Sequence, residues 1–201
     1  VRAVLFDLDN TLIDRDQGFV RWASQRVPAD AIGALAALDR GGHGPRPPLF
    51  RAIAALTGEP VAEVHAAFFD EIGAFCPLRP DADALLTRLR GVVPTAIVTN
   101  GPSRSQRHKL RTSGLLDRVD AVVVSGELGV DKPAAGPFLA ALKALGLPPD
   151  GAWMVGDHPV NDVAGGRAVG LRTVFVRSAW FADCAADVVV DDLGAWACLS
   201  T

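Results

Sequence analysis

The chain has 201 residues, a formal net charge of −3 and 49% hydrophobic residues. That length accommodates one compact domain with an inserted lobe, and the charge offers no basic footprint for nucleic acid. No stretch reaches the roughly 18 apolar residues of a membrane span, and no charged-then-apolar leader pattern opens the chain. Cys76, Cys184 and Cys198 are too few and too scattered for a disulfide framework or a zinc knuckle, which fits a reducing cytoplasm.

The apolar run Val1 to Phe6 predicts a first strand. From Asp14 to about Arg79 the pattern changes. Apolar residues recur at helical spacing in Phe19-Val20-Trp22-Ala23, Ile32-Leu35-Ala36-Leu38, Phe50-Ile53-Ala54-Leu56 and Val61-Val64-Ala67-Phe68-Ile72. Pro28, the stretch from Gly41 to Pro45, and Gly58-Glu59-Pro60 divide this segment into about four helices. We therefore expect an all-helical insertion over residues 14–79 between the two parts of a core, 1–13 and 80–201.

After Pro80 helices and strands alternate. A helix over Asp81 to Arg90 precedes a strand over Val93 to Val98, and Ser103 can cap a helix that Gly114 stops. Ala121 to Val124 is a strand, Pro137 to Leu145 a helix stopped by Gly146, and Ala152 to Val155 a strand. Val160 to Val169 is a helix, followed by strands over Thr173 to Val176 and Val188 to Val190. Continuous Val/Ile runs mean strands covered on both faces, so the fold class is α/β, a parallel sheet between helix layers.

Two acidic pairs stand at the ends of such strands. Asp7 and Asp9 follow the first, and Asp157 and Asp162 follow the strand ending at Val155. Open α/β sheets bind ligands at these strand ends. Four like charges converging there repel unless a cation joins them, and Mg²⁺, a hard ion that accompanies phosphate, is the economical choice. Asp7 can attack phosphorus and carry a transient aspartyl-phosphate. Asp9, two residues on, can protonate an alkoxide leaving group and then activate water. Both carboxylates also suit plain turns, and Thr11 can tie the loop through its hydroxyl or cap a helix. Thr99 and Asn100, at a strand tip before Gly101, offer donors to phosphoryl oxygens, although such a triplet is more often only a turn. Lys132, in Asp131-Lys132-Pro133, can neutralise charge on the phosphoryl group; taken alone it reads as a solvated lysine. Asp162 can bind metal through water or hold that lysine, and it also suits a helix N-terminus. His158 is read as a loop residue, because the site is rich in hard oxygen ligands. With about −4 on the carboxylates and about +3 on Mg²⁺ and Lys132, Asp9 is expected to keep a proton as the acid.

The ordered set Asp7-Leu8-Asp9-Asn10-Thr11, Thr99, Lys132-Pro133, and Gly156-Asp157 with Asp162 resembles the haloacid dehalogenase superfamily of hydrolases. The resemblance implies a Rossmann-like core with a helical cap inserted after the first motif. It implies Asp7 as nucleophile and Mg²⁺ ligand, and Asp9 as acid/base with its backbone carbonyl on the metal. Thr99 and Lys132 would hold the phosphoryl group, Asp157 would be a metal ligand and Asp162 a supporting one. The stretch from Thr99 through Gln106 and Lys109-Leu110 to Lys132-Pro133 is similar to nucleotidase-like and acylneuraminate-phosphatase-like members.

The expected activity is Mg²⁺-dependent hydrolysis of a small phosphomonoester, with no nucleic-acid or membrane partner. A dehalogenase needs neither a proton donor at position 9 nor a metal, since halide leaves unprotonated. A phosphonate-cleaving enzyme needs a cap lysine, and residues 14–79 contain none. A phosphosugar mutase would keep Asp9 and depends on how well the cap excludes water. A non-enzymatic binding module would have no use for the intact set Asp7, Asp9 and Lys132. Within the insertion Arg15, Trp22, His43, Arg46 and His65 are possible substrate contacts, with Trp22 read as core and the arginines as solvated.

Overall fold

The computed structural model describes residues 1–197; Cys198 lies outside them. Strand β1 (Ala3–Phe6) opens the chain. It is followed by helices α1 (Arg15–Ala23), α2 (Ile32–Asp39), α3 (Arg46–Thr57) and α4 (Val61–Glu71), with 3-10 turns between and after them. Then come α5 (Pro80–Leu89), β2 (Thr95–Thr99), α6 (Ser103–Thr112), β3 (Ala121–Val124), α7 (Ser125–Leu128), α8 (Ala135–Leu145) and β4 (Ala152–Gly156). A π-helical turn over Pro159–Ala164 runs into α9 (Gly165–Ala168), and β5 (Arg172–Val176), β6 (Val188–Val190) and α10 (Leu193–Ala197) complete the described chain.

The six strands form one parallel sheet in the order β3-β2-β1-β4-β5-β6. Successive residues of β1 serve opposite faces. Ala3 and Leu5 join Val98, Phe138, Leu142 and Met154 under α8. Val4 and Phe6 join Ile97, Val155, Leu86 and Trp196 under α5 and α10. The second cluster continues without a break into Phe19, Trp22, Phe50 and Phe68 of the helical segment. Double-sided burial explains the unbroken apolar runs, since an alternating strand would leave one face wet. Strand order reverses between β1 and β4, where the sheet has its crevice.

Three local readings are corrected. Ser103 does not cap α6: Pro102 occupies that position, and the Ser103 hydroxyl donates instead to Glu127 Oε1 at 2.6 Å. The helix expected over 160–169 begins as a π turn, because His158 Nδ1 accepts from the backbone N–H of both Val160 and Asn161 at 3.1 Å. Gly165 and Gly166 then let it lie against Phe138 and Met154, where added Cβ atoms would stand 2.9 Å from those side chains. Thr11 neither caps nor ties its loop; its hydroxyl is buried with no hydrogen-bond partner among the described residues. Among the described residues no helix is long and apolar enough to cross a membrane.

Candidate active site

Parallel strands end on the same side of the sheet, and that brings the sequence-distant carboxylates together. β1 and β4 are neighbours in register, with Phe6 opposite Val155, and the Asp7 N–H donates to Val155 O at 2.8 Å. Asp7 and Asp157 therefore leave adjacent strand tips side by side. The π turn carries Asp162 back over Gly156, so closely that a Cβ on that glycine would lie 2.2 Å from Asp162 Oδ2. Carboxylate oxygens of Asp7, Asp157 and Asp162 all lie within 4.8 Å of one another, and all three residues are buried.

Lys132 reaches this cluster from the loop between α7 and α8. Its Nζ donates to Asp7 Oδ1 at 2.7 Å and Asp162 Oδ1 at 2.6 Å, with its side chain only 2% exposed. The solvated reading of this lysine is thus wrong. Asn100 supports it: its amide donates to Lys132 O at 2.9 Å and its Oδ1 accepts from Lys132 N at 2.8 Å. The Asn100 side chain is committed to that clamp, although the residue also lines the site cavity.

One cation does not balance three carboxylates. Burial pushes the Asp7 carboxyl up to about 7 despite Lys132, with Asp162 adding to the rise. Burial, Asp7 and Asp162 raise Asp157 well above the usual carboxylate range. Asp157 Oδ2 is buried with no hydrogen-bond partner among the described residues. His43 Nε2 stands 4.0 Å from it but brings no charge: burial and neighbouring His158 depress its imidazole to about 4. An unpartnered oxygen amid buried, hard, anionic donors is a fitting place for a divalent cation.

Asp9 takes a different direction. Its carboxylate accepts from Lys109 Nζ at 2.8 and 2.7 Å and from Gln106 Nε2 at 3.0 Å, and Gln106 Nε2 also donates to Thr99 Oγ1 at 2.5 Å. The Asp9 side chain therefore stands outside the three-carboxylate cluster. Burial works to raise its carboxyl, but Lys109, Arg15 and Gln106 together outweigh it and hold it below the ordinary value. That corrects the expectation of a resident proton on Asp9 in this state. Lys109 and Gln106, which are 5% and 2% exposed, went unassigned in the sequence. Their spacing of three on α6 was the available signal, since it puts both on one helix face.

A cavity of about 290 Å³ opens over Asp7, Asp9, Thr99, Lys132, Asp157 and His43. His43 packs against the rings of His158 and Phe181, at 4.8 and 5.2 Å between centroids. Gly41 sits beside Trp180 at φ 63°; a Cβ there would come within 2.3 Å of the indole nitrogen. Trp22 is core as expected, with its Nε1 donating to Glu71 Oε2 at 3.1 Å, and His65 packs on Phe50 and Phe69. The solvated reading of Arg15 fails: it is buried and paired in bidentate fashion with Asp39.

Residues 1–170 match the family of haloacid dehalogenase-like hydrolases. The chain is 43% identical to the phosphoserine phosphatase of Thermus thermophilus over 59% of its own length and 47% of that protein's, so the matched part spans about half of that relative. It is 32% identical to the phosphoglycolate phosphatase of Rhodospirillum rubrum over 97% of this chain and 90% of that one. The structure is similar to that of a phosphatase from Thermococcus onnurineus, with a TM-score of 0.73 at 25% identity, covering 99% of this chain and 97% of the other. An α/β sheet with its acidic tips at the switch point agrees with these likenesses, and the chain belongs to the haloacid dehalogenase-like hydrolase family.

Proposed function

We propose that the protein is a magnesium-dependent phosphatase that hydrolyses a small phosphomonoester through an aspartyl-phosphate on Asp7. The observation that carries this reading is the unbalanced trio Asp7, Asp157 and Asp162 around one lysine, beside a cavity lined by Thr99 and Asp9. We assign residues 1–13 and 80–201 to the catalytic core and 14–79 to a cap that bears on specificity. The phosphatase names of its relatives and the unpaired cysteines Cys76 and Cys184 are compatible with a small phosphate ester as substrate and a reducing cytoplasm as setting.

Asp7, Asp157 and Asp162 would hold Mg²⁺, with Asp9 contributing its backbone carbonyl. When bound, the ion supplies positive charge that binds the phosphoryl group and lets Asp7 stay ionised. An oxygen of Asp7 attacks phosphorus and the ester P–O bond breaks. The departing alkoxide takes a proton from Asp9. Water then attacks the same phosphorus and gives its proton to Asp9, and the acyl–phosphate P–O bond breaks to return the Asp7 carboxylate. Lys132 and the Thr99 hydroxyl hold the phosphoryl oxygens, and Asn100 keeps Lys132 in place. Asp9 acquires its proton as the substrate's negative charge arrives and offsets the pull of Lys109.

Release of inorganic phosphate from an aryl phosphate, with and without Mg²⁺, tests the reading. Turnover confined to the magnesium-loaded protein is expected. Metal-independent halide release from a 2-haloacid would replace it with dehalogenation, and an isomerised sugar phosphate without free phosphate would replace it with a mutase.

A further inference from the structure

Beyond Asp9 lies a second cavity of about 380 Å³, which shares Asp9, Asn100 and Gly42 with the first. Arg15, Arg46 and Lys109 line it, together with Phe68, Phe69 and Pro102. Lys109 is matched by Asp9. The arginines share one carboxylate, Asp39: Arg15 holds it in bidentate fashion, and Arg46 Nη1 reaches its Oδ1 at 2.5 Å. Among the described residues the other hydrogen bond of Arg46 goes to a backbone carbonyl, that of Gly42, at 2.5 Å from Nη2. Its guanidinium lies 5.5 Å from the centre of the Phe68 ring, and its side chain is 27% exposed. Three lining cations thus meet two carboxylates, Asp9 in the lining and the buried Asp39 behind it, and Asp131, the other acid of the lining, is exposed. Burial and the neighbouring Arg15 charge push the Arg46 guanidinium down, as expected for a cation without an anion of its own.

Position gives the surplus charge a meaning. A group that protonates the leaving oxygen must touch it. With Asp9 on the wall common to both cavities, a phosphoryl group over Asp7 sends the rest of its ester past Asp9 into the second cavity. Resting on the phosphatase reading above, we propose that the substrate carries a second anionic group, a carboxylate or another phosphate, on its leaving-group side. Arg46 receives that group, and Phe68, Phe69 and Pro102 cover the short carbon body between the two ends. Arg46 is then a specificity-determining residue, and the Asp39 pair holds it at the cavity.

Three matched substrates decide this: the phosphate esters of 3-hydroxypropanoate and of 3-hydroxypropanamide, and 1,3-propanediol bisphosphate. We expect kcat/KM for a charged-end ester to exceed that of the amide by about tenfold or more, the scale of a charge-assisted contact that is partly desolvated. Whichever charged ester leads identifies the terminal anion. Arg46→Gln is expected to bring the charged-to-amide ratio toward one, and Arg46→Lys to restore part of it; a general loss of activity moves all three esters alike and leaves the ratio intact. Equal kcat/KM for the three esters on the native protein overturns the subsite while leaving the phosphatase reading in place, and it does so whether or not the Arg46 variants fold. If no ester, aryl phosphate included, releases phosphate, the hydrolase reading falls instead. Calorimetric binding of the same esters to Asp7→Asn protein then decides the subsite alone: preference for the charged ends supports it, and equal binding removes it.

Discussion

Two buried charge clusters lie on either side of Asp9, and they are unbalanced in opposite senses. Around Asp7, Asp157 and Asp162 there is one ammonium for three carboxylates, and burial raises Asp7 and Asp157. Around Asp39 there are two guanidiniums for one carboxylate; burial again works upward on that acid, but Arg15 and Arg46 outweigh it and hold it low. Burial alone would move both sets of acids the same way, so the sign is decided by the company each keeps. Imbalance of this kind, enclosed and facing a cavity, is uneconomical for stability and is expected where a ligand completes the charge. On the proposed reading a cation would complete one cluster and an anion the other.

The largest effect should come from removing the proposed nucleophile. Asp7→Asn is expected to lower aryl phosphate turnover by at least roughly 10³-fold, and turnover near the native level would end that assignment. Asp9→Asn should slow hydrolysis by roughly 10²–10⁴-fold for alkyl esters and least for leaving groups that depart without a proton. A loss uniform across leaving groups would take the acid role from Asp9. On the opposite cluster, Asp39→Asn leaves Arg15 and Arg46 facing each other without their shared anion, at a cost of about 3–5 kcal/mol in unfolding free energy by urea titration. A loss below about 1 kcal/mol would mean that the pair behaves as a surface one. The Asp39 carboxyl is held below its unfolded value of 3.8, so its contribution is present above that pH and is lost as pH falls through the folded value.

Asp7 works in the opposite sense and sharpens the contrast. Its carboxyl rises from 3.8 to about 7 in the metal-free protein, so the stability linked to it is complete below pH 3.8 and is lost as pH rises through 7. Mg²⁺ should restore it, by about 2–3 kcal/mol near a hundredfold excess over Kd. The magnesium-induced rise in Tm is therefore expected to be larger at pH 8 than at pH 5. An equal rise at both would show that the ion is not relieving the Asp7 cluster.

Much of the candidate site was readable along the chain because its acids end strands, and a strand end is a local property. Thr99 and Asp157 follow apolar runs, Ala96-Ile97-Val98 and Ala152-Trp153-Met154-Val155, that are covered on both faces. Lys109, Gln106 and Arg15 were not readable in the same way. Each stands on a helix whose pattern also suits a solvated side chain, and each owes its role to partners far along the sequence, Asp9 at 100 residues from Lys109 and Asp39 at 24 from Arg15. The same holds for Ser103, whose expected cap yielded to Glu127, and for Thr11, whose hydroxyl the packing leaves unsatisfied.

From the sequence by itself came the parallel α/β sheet, the helical insertion and the strand-tip aspartates, because apolar periodicity and turn residues act over a few neighbours. Which charges meet, and which are left over, only the tertiary structure decided: Asp9 turned to Lys109 and away from the other acids, and Arg46 drawn to a carboxylate already taken. Charge balance in a buried site is a sum over residues brought together by folding, and no local stretch of chain contains it.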